Sequence, residues 1–230
     1  VTDLDGTLLD HHSCDFTPAA PALARLRAMG VPVVLNSSKT RKEMLQWRVA
    51  LNNQSPFVFE NGALLAVQEN AESFHEYRYG IPRSFTRTVL ETIAHKYHFR
   101  YQPFFSMTVT QLVELTGLTP DLASLALERE YSEPLLWQDD DRALGIFADL
   151  LQGHDLHVVR GGRFVHVSGH TDKGACLDDL MQWYYQQYQQ KPLVLALGDG
   201  ANDLPLLQIA DFAVQIRSWH LTSRKFPIPI

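Results

Sequence analysis

The chain has 230 residues, 45% of them hydrophobic and 20% charged. That suits one large domain or two small ones with a real core, and it excludes disordered, collagen-like and coiled-coil architectures. A formal net charge of -6, from 20 Lys+Arg against 26 Asp+Glu, argues against non-specific nucleic-acid binding, although a local cluster of donors can still hold an anionic small molecule. No stretch approaches the ~18 uninterrupted apolar residues of a membrane span, and the first residues lack the basic-then-apolar pattern of a signal peptide. Two cysteines, Cys14 and Cys176, fit a reducing cytosol better than a disulfide scaffold. The expectation is a cytoplasmic protein with a small-molecule partner, and with neither nucleic acid nor membrane. Nothing in the pattern signals an oligomeric state.

In chain order, Thr17-Pro18 predicts a helix start and Gly30 its stop, with Ala22, Leu23, Leu26 and Met29 on the inward stripe. Val31 to Leu35 reads as a brief buried strand despite Pro32. Thr40 and Glu43 have the spacing of a capping box that opens the next helix, and Pro56 to Phe59 reads as another strand. Strands alternating with helices imply a parallel sheet with crossover helices. The middle of the chain differs. A helix carrying Phe85, Val89, Leu90, Ile93, Ala94 and Tyr97 is expected to be capped by Ser84. A second starts at Thr119-Pro120 and a third after Asp139 to Asp141. Two strands, Leu156 to Arg160 and Arg163 to Val167, flank Gly161-Gly162, a tight-hairpin signal. The last part returns to the first pattern, with a helical stripe Leu177, Leu180, Met181, Tyr184 and Tyr188 and an apolar strand Leu193 to Leu197. The expected fold class is α/β: a Rossmann-like, doubly wound parallel-sheet core of residues 1–74 and 169–230, interrupted by an α+β cap of residues 75–168.

Four segments carry chemistry. Asp3-Leu4-Asp5-Gly6-Thr7 places two carboxylates two residues apart after a strand, at the end of the sheet where open parallel sheets bind ligands. One carboxylate can act as nucleophile while the other moves protons, although the same residues also suit a polar turn. Gly198-Asp199-Gly200-Ala201-Asn202-Asp203 follows a second strand. Asp199, Asp3 and the carbonyl of Asp5 make a hard-oxygen set suited to Mg²⁺. Asn36-Ser37-Ser38-Lys39-Thr40 offers hydroxyls and backbone amides at a helix start, either to phosphate oxygens or simply as caps. Lys173, early in a helix, opposes the helix dipole and gains little there without an anion nearby. His11-His12 lacks a companion pattern for zinc, and Trp47, Trp137, Trp183 and Trp219 read as packing residues.

Together and in this order, the four segments resemble the motifs of the haloacid dehalogenase superfamily of phosphotransferases. The insertion between the second and third resembles its larger α/β (type IIB) cap. A closer resemblance covers nearly the whole chain. Ser37-Ser38-Lys39-Thr40, Glu60-Asn61-Gly62-Ala63, Thr116-Gly117-Leu118, Glu128-Arg129-Glu130-Tyr131-Ser132-Glu133-Pro134 and Gly161-Gly162-Arg163-Phe164-Val165-His166 are similar to the mannosyl-3-phosphoglycerate phosphatases. The resemblance implies that Asp3 attacks phosphorus to form an aspartyl-phosphate and that Asp5 protonates the leaving group and then activates water. It further implies that Ser37, Ser38, Lys173 and Asn202 serve the phosphoryl group, with Asn202 and Asp203 orienting Lys173 or metal-bound water, and that Asp3, Asp5 and Asp199 hold Mg²⁺ as cofactor. In the cap, Arg129 and Arg163 are candidates for the glycerate carboxylate, because a guanidinium pairs bidentately with a carboxylate. Glu128 and His166 are candidates for sugar hydroxyls.

The family carries a full apolar strand before its first aspartate, whereas only Val1-Thr2 precede Asp3 here. Native residues are therefore expected to be missing at one or both ends. Rival functions are another sugar-phosphate phosphatase or a phosphomannomutase on the same scaffold, and a receiver-type phospho-acceptor domain. The receiver needs an acceptor aspartate after its third strand, where this chain offers Glu60.

Overall fold

A computed structural model of the chain describes residues 1–11, 13–70, 73–160 and 163–217. In chain order its elements are α1 (Ala20–Ala28), β1 (Leu35–Asn36), α2 (Arg41–Ala50), β2 (Phe57–Phe59), β3 (Leu64–Gln68), β4 (Phe74–Arg78), α3 (Arg83–Tyr97), β5 (Tyr101–Pro103), α4 (Val109–Thr116), α5 (Pro120–Leu127), β6 (Ser132–Trp137), α6 (Asp141–Gln152), β7 (Leu156–Arg160), β8 (Val165–Gly169), α7 (Leu177–Tyr188), β9 (Leu195–Gly198), α8 (Leu204–Ile209) and β10 (Phe212–Gln215). They form two compact units. The first comprises Val1–Ser38, Gln46–Tyr79 and Asp172–Ile230, and the second Lys39–Leu45 and Gly80–Thr171.

A mixed sheet organises the first unit. β9 and β10 run parallel, as do β1 and β2, and Thr2 joins the two pairs by parallel bridges to Leu35 and Leu197. Thr2 N–H donates to Val34 O (2.9 Å), its carbonyl accepts from Asn36 N (2.9 Å), and Asp3 N–H donates to Leu197 O (3.0 Å). These first residues therefore hold the central strand position, and Asp3 stands level with the carboxyl ends of β1 and β9. Beyond β2 the sheet continues antiparallel through β3 and β4. The expected parallel sheet is thus a parallel centre with an antiparallel edge, and β4 pairs along its whole length with β3. Val34, Val58, Leu65 and Val67 of the sheet pack on Leu177, Leu180 and Tyr184 of α7 and on Leu206 and Leu207 of α8. Each such side chain, fully buried, contributes about 1.5–3 kcal/mol.

Several expectations for this unit are corrected. No residue of α1 is fully buried, and Ala22 and Met29 of its supposed inward stripe are exposed. The strand expected over Val31 to Leu35 is only Leu35–Asn36. Pro32 has no N–H to give a ladder, and Val31 is exposed. The last expected strand begins at Leu195, not Leu193. Tyr188, at the end of the α7 stripe, is exposed.

The second unit is α+β. Its antiparallel sheet has the order β5-β6-β8-β7. Val89, Leu90 and Ile93 of α3 and Leu144, Phe147 and Leu151 of α6 pack against Leu135, Val165 and Val167 of the sheet. A smaller cluster joins Leu112 of α4 to Ala123 and Ala126 of α5. Within this unit Glu133 is completely buried and paired with Arg83. Helix α3 opens at Arg83, with Pro82 as N-cap and no side-chain capping bond, so Ser84 is not the cap. β8 begins at Val165, leaving Arg163 outside it. The Gly161-Gly162 turn lies outside the described residues, but β7 and β8 pair antiparallel as expected of a hairpin. Among the described residues, no helix is long and apolar enough to cross a membrane.

Candidate active site

The parallel strands release their chains into loops at one end of the first unit's sheet, and four of those loops meet around Lys173. After Asp3 the chain turns tightly. Gly6 N–H donates to Leu9 O (2.9 Å) and Leu9 N–H to Leu4 O (2.8 Å), with Gly6 at φ +82°. A side chain at Gly6 would also strike the Asp199 carboxylate, whose Oδ2 lies 2.5 Å from the position of an added Cβ. Glycine is needed here on both counts.

Lys173 is completely buried and its Nζ donates to Asp3 Oδ1 and, at 2.5 Å, to Asp203 Oδ1. Burial opposes its charge, but the two carboxylates outweigh burial and hold its pKa above the ordinary value. Asp203 is also completely buried. Its Oδ2 accepts from Asp199 N (2.9 Å) and Gly200 N (2.8 Å). Both Asp203 oxygens are thus occupied, one by the lysine and the other by the amides of the loop.

Asp3 and Asp199 differ from Asp203. Burial pushes the Asp3 carboxyl up to about 6; Lys173 pulls it down, and Asp203 and Asp5 repel it. Burial and then Asp203 raise Asp199 as well. Ligand oxygens of Asp3, Asp199 and Asp203 lie within 4.8 Å of one another. Three carboxylates around one ammonium leave an excess of negative charge in a partly dry site. A hard divalent cation relieves such a deficit, and carboxylate oxygens are its preferred donors. The donor set therefore fits Mg²⁺, with Asp3 and Asp199 the carboxylates to hold it.

The remaining expected residues are placed as follows. Asp5 is half-buried in the turn after Asp3, Ser37 is completely buried and Ser38 half-buried. Ser37 N–H is held by Val58 O (3.1 Å) and Thr40 N–H by Glu43 Oε2 (2.8 Å). Two of the amides expected to face a phosphate are therefore already bonded. Asn202 is exposed, and its Nδ2 donates to Asn61 Oδ1 (3.1 Å). In the second unit, Arg129 Nη1 donates to Ser132 Oγ (2.9 Å). Burial and then the Arg129 charge lower His166 to about 4, so these two lie together. Glu128 pairs with Lys42 at 2.5 Å on the surface, an interaction of at most ~1 kcal/mol. Arg163 is exposed.

Sequence reasoning gave no role to the residues that tie these loops together. Asn36 Nδ2 donates to the carbonyl of Lys173 (2.8 Å). Glu60, Asn61 and Gly62 are three successive left-handed residues (φ 49°, 57° and 88°). Asn61 N–H donates to Ser37 O (3.0 Å), and a side chain on Gly62 would overlap the Asp172 carbonyl beside Lys173. Asn-Gly after a strand is a turn signal, but only the fold shows that the turn joins three site loops.

Residues 1–112 match the family model for haloacid dehalogenase-like hydrolases. The described fold superposes on the phosphatase BT1666 from Bacteroides thetaiotaomicron with a TM-score of 0.66 at 19% identity, covering 93% of this chain and 88% of that one. A similar match, at TM-score 0.66 and 18% identity, covers 93% of this chain and 84% of TM0651 from Thermotoga maritima. The subclass IIB sugar phosphatase BT4131 matches at TM-score 0.65 and 15% identity, over 93% of this chain and 85% of that one. The fold is that of the haloacid dehalogenase hydrolases. Within that fold Asp3, Lys173 and Asp199 belong to loops at the carboxyl end of the parallel strands, where open α/β sheets place their ligands.

Proposed function

We propose that the chain is a Mg²⁺-dependent phosphatase that hydrolyses mannosyl-3-phosphoglycerate or glucosyl-3-phosphoglycerate to the glycosylglycerate and phosphate. The observation that carries the phosphatase reading is the buried Lys173 held between Asp3 and Asp203, with Asp199 alongside. It combines an activatable carboxylate, a fixed cation and a site for a second cation. Phosphoryl transfer requires positioning and charge stabilisation of this kind. The glycosyl-phosphoglycerate reading rests on the resemblance of the second unit's Glu128 to Pro134 and Arg163 to His166 segments, and we assign that unit the choice of substrate.

In the first step an oxygen of Asp3 attacks phosphorus, the P–O bond to the substrate breaks, and Asp5 gives its proton to the departing alkoxide. In the second, Asp5 takes a proton from water, the resulting hydroxide attacks phosphorus, and Asp3 leaves as a free carboxylate with inorganic phosphate released. Lys173 and the Ser37 and Ser38 hydroxyls hold the transferring oxygens. Mg²⁺, when bound by Asp3 and Asp199, supplies charge that offsets repulsion between Asp3 and the phosphate.

The test is phosphate release from mannosyl-3-phosphoglycerate, glucosyl-3-phosphoglycerate, free sugar phosphates and 3-phosphoglycerate, with Mg²⁺ and with EDTA. Metal-dependent release favouring the glycosylated substrates, lost in Asp3→Asn, is expected. Turnover confined to free sugar phosphates would retain the chemistry and overturn the substrate, in line with the sugar phosphatase among the similar structures.

A further inference from the structure

Within the second unit, α3 and the Arg129–Tyr131 segment enclose a cavity of about 390 Å³ that the reaction steps do not use. Pro82, Arg83, Ser84, Arg87, Arg129, Glu130 and Tyr131 line it. Three of these are arginines, each held by the fold. Arg83 is 14% exposed and paired through Nε with the buried Glu133. Its Nη1 donates to Leu127 O (2.9 Å) and Arg129 O (3.4 Å), whereas its Nη2 is buried with no partner among the described residues. Arg87 lies one turn further along the same face of α3, its guanidinium 4.4 Å from the centre of the Phe105 ring. Arg129 is held by Ser132. Among the described lining residues the one carboxylate, Glu130, accepts from Arg41 Nε (2.7 Å) and Nη2 (3.0 Å), so its charge is already matched by a cation outside the cavity.

Pre-oriented arginine forks lose little entropy on meeting a planar or tetrahedral oxyanion. Pro82 gives α3 no side-chain cap, and the first amide of the helix, Arg83 N–H, is already bonded to Glu130 O (2.7 Å), so the positive charge of the cavity is that of the arginine side chains. We propose that this cavity is an oxyanion site, built by Arg83, Arg87 and Arg129 for a carboxylate or phosphate group that is not the one being hydrolysed. That its occupant is the carboxylate of the substrate's acid arm rests on the proposed function; a separate anionic effector is the other source.

The experiment titrates the full chain with glycerate and with its neutral methyl ester by calorimetry, comparing wild type, Arg87→Gln and Arg129→Gln. Arg87 is exposed and outside the buried Arg83–Glu133 pair, so its replacement leaves the unit folded, checked by an unchanged melting curve. Glycerate is expected to bind about tenfold or more tightly than the ester, the worth of one charge-assisted hydrogen bond, and each substitution to remove about that factor. Equal binding of acid and ester, or binding untouched by both substitutions, overturns the site. The source is then read from kinetics. A KM for the glycosyl-phosphoglycerate raised about tenfold in Arg87→Gln with kcat unchanged, and no change for a sugar phosphate lacking a carboxylate, assigns the site to substrate. An unchanged KM alongside lost glycerate binding overturns the substrate assignment and leaves an effector site. Glycerate binding without turnover of any phosphate ester would defeat the proposed function while sustaining this one.

Discussion

Lys173 concentrates the chemistry and the risk of this site in one side chain. It is completely buried beside two carboxylates, one of them also completely buried. Removing one member of such a group leaves uncompensated charge in a poor solvent, which costs about 3–5 kcal/mol. Lys173→Met is therefore expected to lower unfolding free energy by that order in urea and to reduce phosphate release at least ~100-fold. Wild-type stability in the variant would show that the lysine is not the counter-ion described. The acids stood out in the sequence through their positions after strands, and the lysine through a place read as the start of a helix that in fact begins at Leu177. No role could be read for Asn36, Asn61 or Gly62, because they meet backbone carbonyls of segments remote in sequence: Lys173, Ser37 and Asp172. Spacing along a chain carries no signal for such contacts.

At the scale of elements, local capping chemistry was legible and burial was not. Thr40 and Glu43 form the expected capping box, Glu43 N–H donating to Thr40 Oγ1 (3.3 Å) and Thr40 N–H to Glu43. Thr119 caps α5 through a longer 3.4 Å bond. Thr40 is also completely buried and its hydroxyl donates to Leu125 O (3.0 Å), so it does two jobs and Thr119 one. Thr40→Ala should cost about 2 kcal/mol and Thr119→Ala about 0.5 kcal/mol, read from denaturant midpoints; the reverse order would contradict this account of both caps. The α1 stripe misled because a period of apolar residues shows which side of a helix can be buried, not whether a neighbour covers it. Helix α4 was passed over, although Thr108 and Gln111 make a full capping box and Gly117 ends it left-handed. Leu112 is its one buried residue, in a small cluster with Phe104, Met107, Ala123 and Ala126, and one inward residue gives a weak periodic signal by itself.

Across the whole molecule, each unit has a core of its own among the described residues, and the second carries a group that makes its stability depend on pH. In the second, His166 has its pKa lowered from 6.5 to about 4, by burial and then by Arg129. The folded form resists protonation that the unfolded chain accepts. Stability is therefore complete above pH 6.5, falls as pH drops toward 4 and levels off below, with a ceiling of about 3 kcal/mol. Unfolding of wild type and His166→Asn followed from pH 7.5 to 4 should show the variant with a flatter profile; parallel profiles would mean that His166 is not held neutral. The alternation of strands and helices made the α/β fold class legible in the sequence, whereas the antiparallel edge was not, because a buried strand such as β3 reads as the same apolar run in either direction and β4 carries only a mixed, half-exposed pattern.

The central claim is that Asp3 itself accepts the phosphoryl group, and acid quenching during turnover tests it most directly. With Mg²⁺ and mannosyl-3-phosphoglycerate, rapid quenching followed by peptide mass mapping should place one phosphoryl group on the peptide that carries Asp3, at that residue. It should vanish in Asp3→Asn and accumulate in Asp5→Asn, where the base for the second step is gone. A phosphoryl group on any other side chain, or turnover with none trapped in Asp5→Asn, would contradict the account.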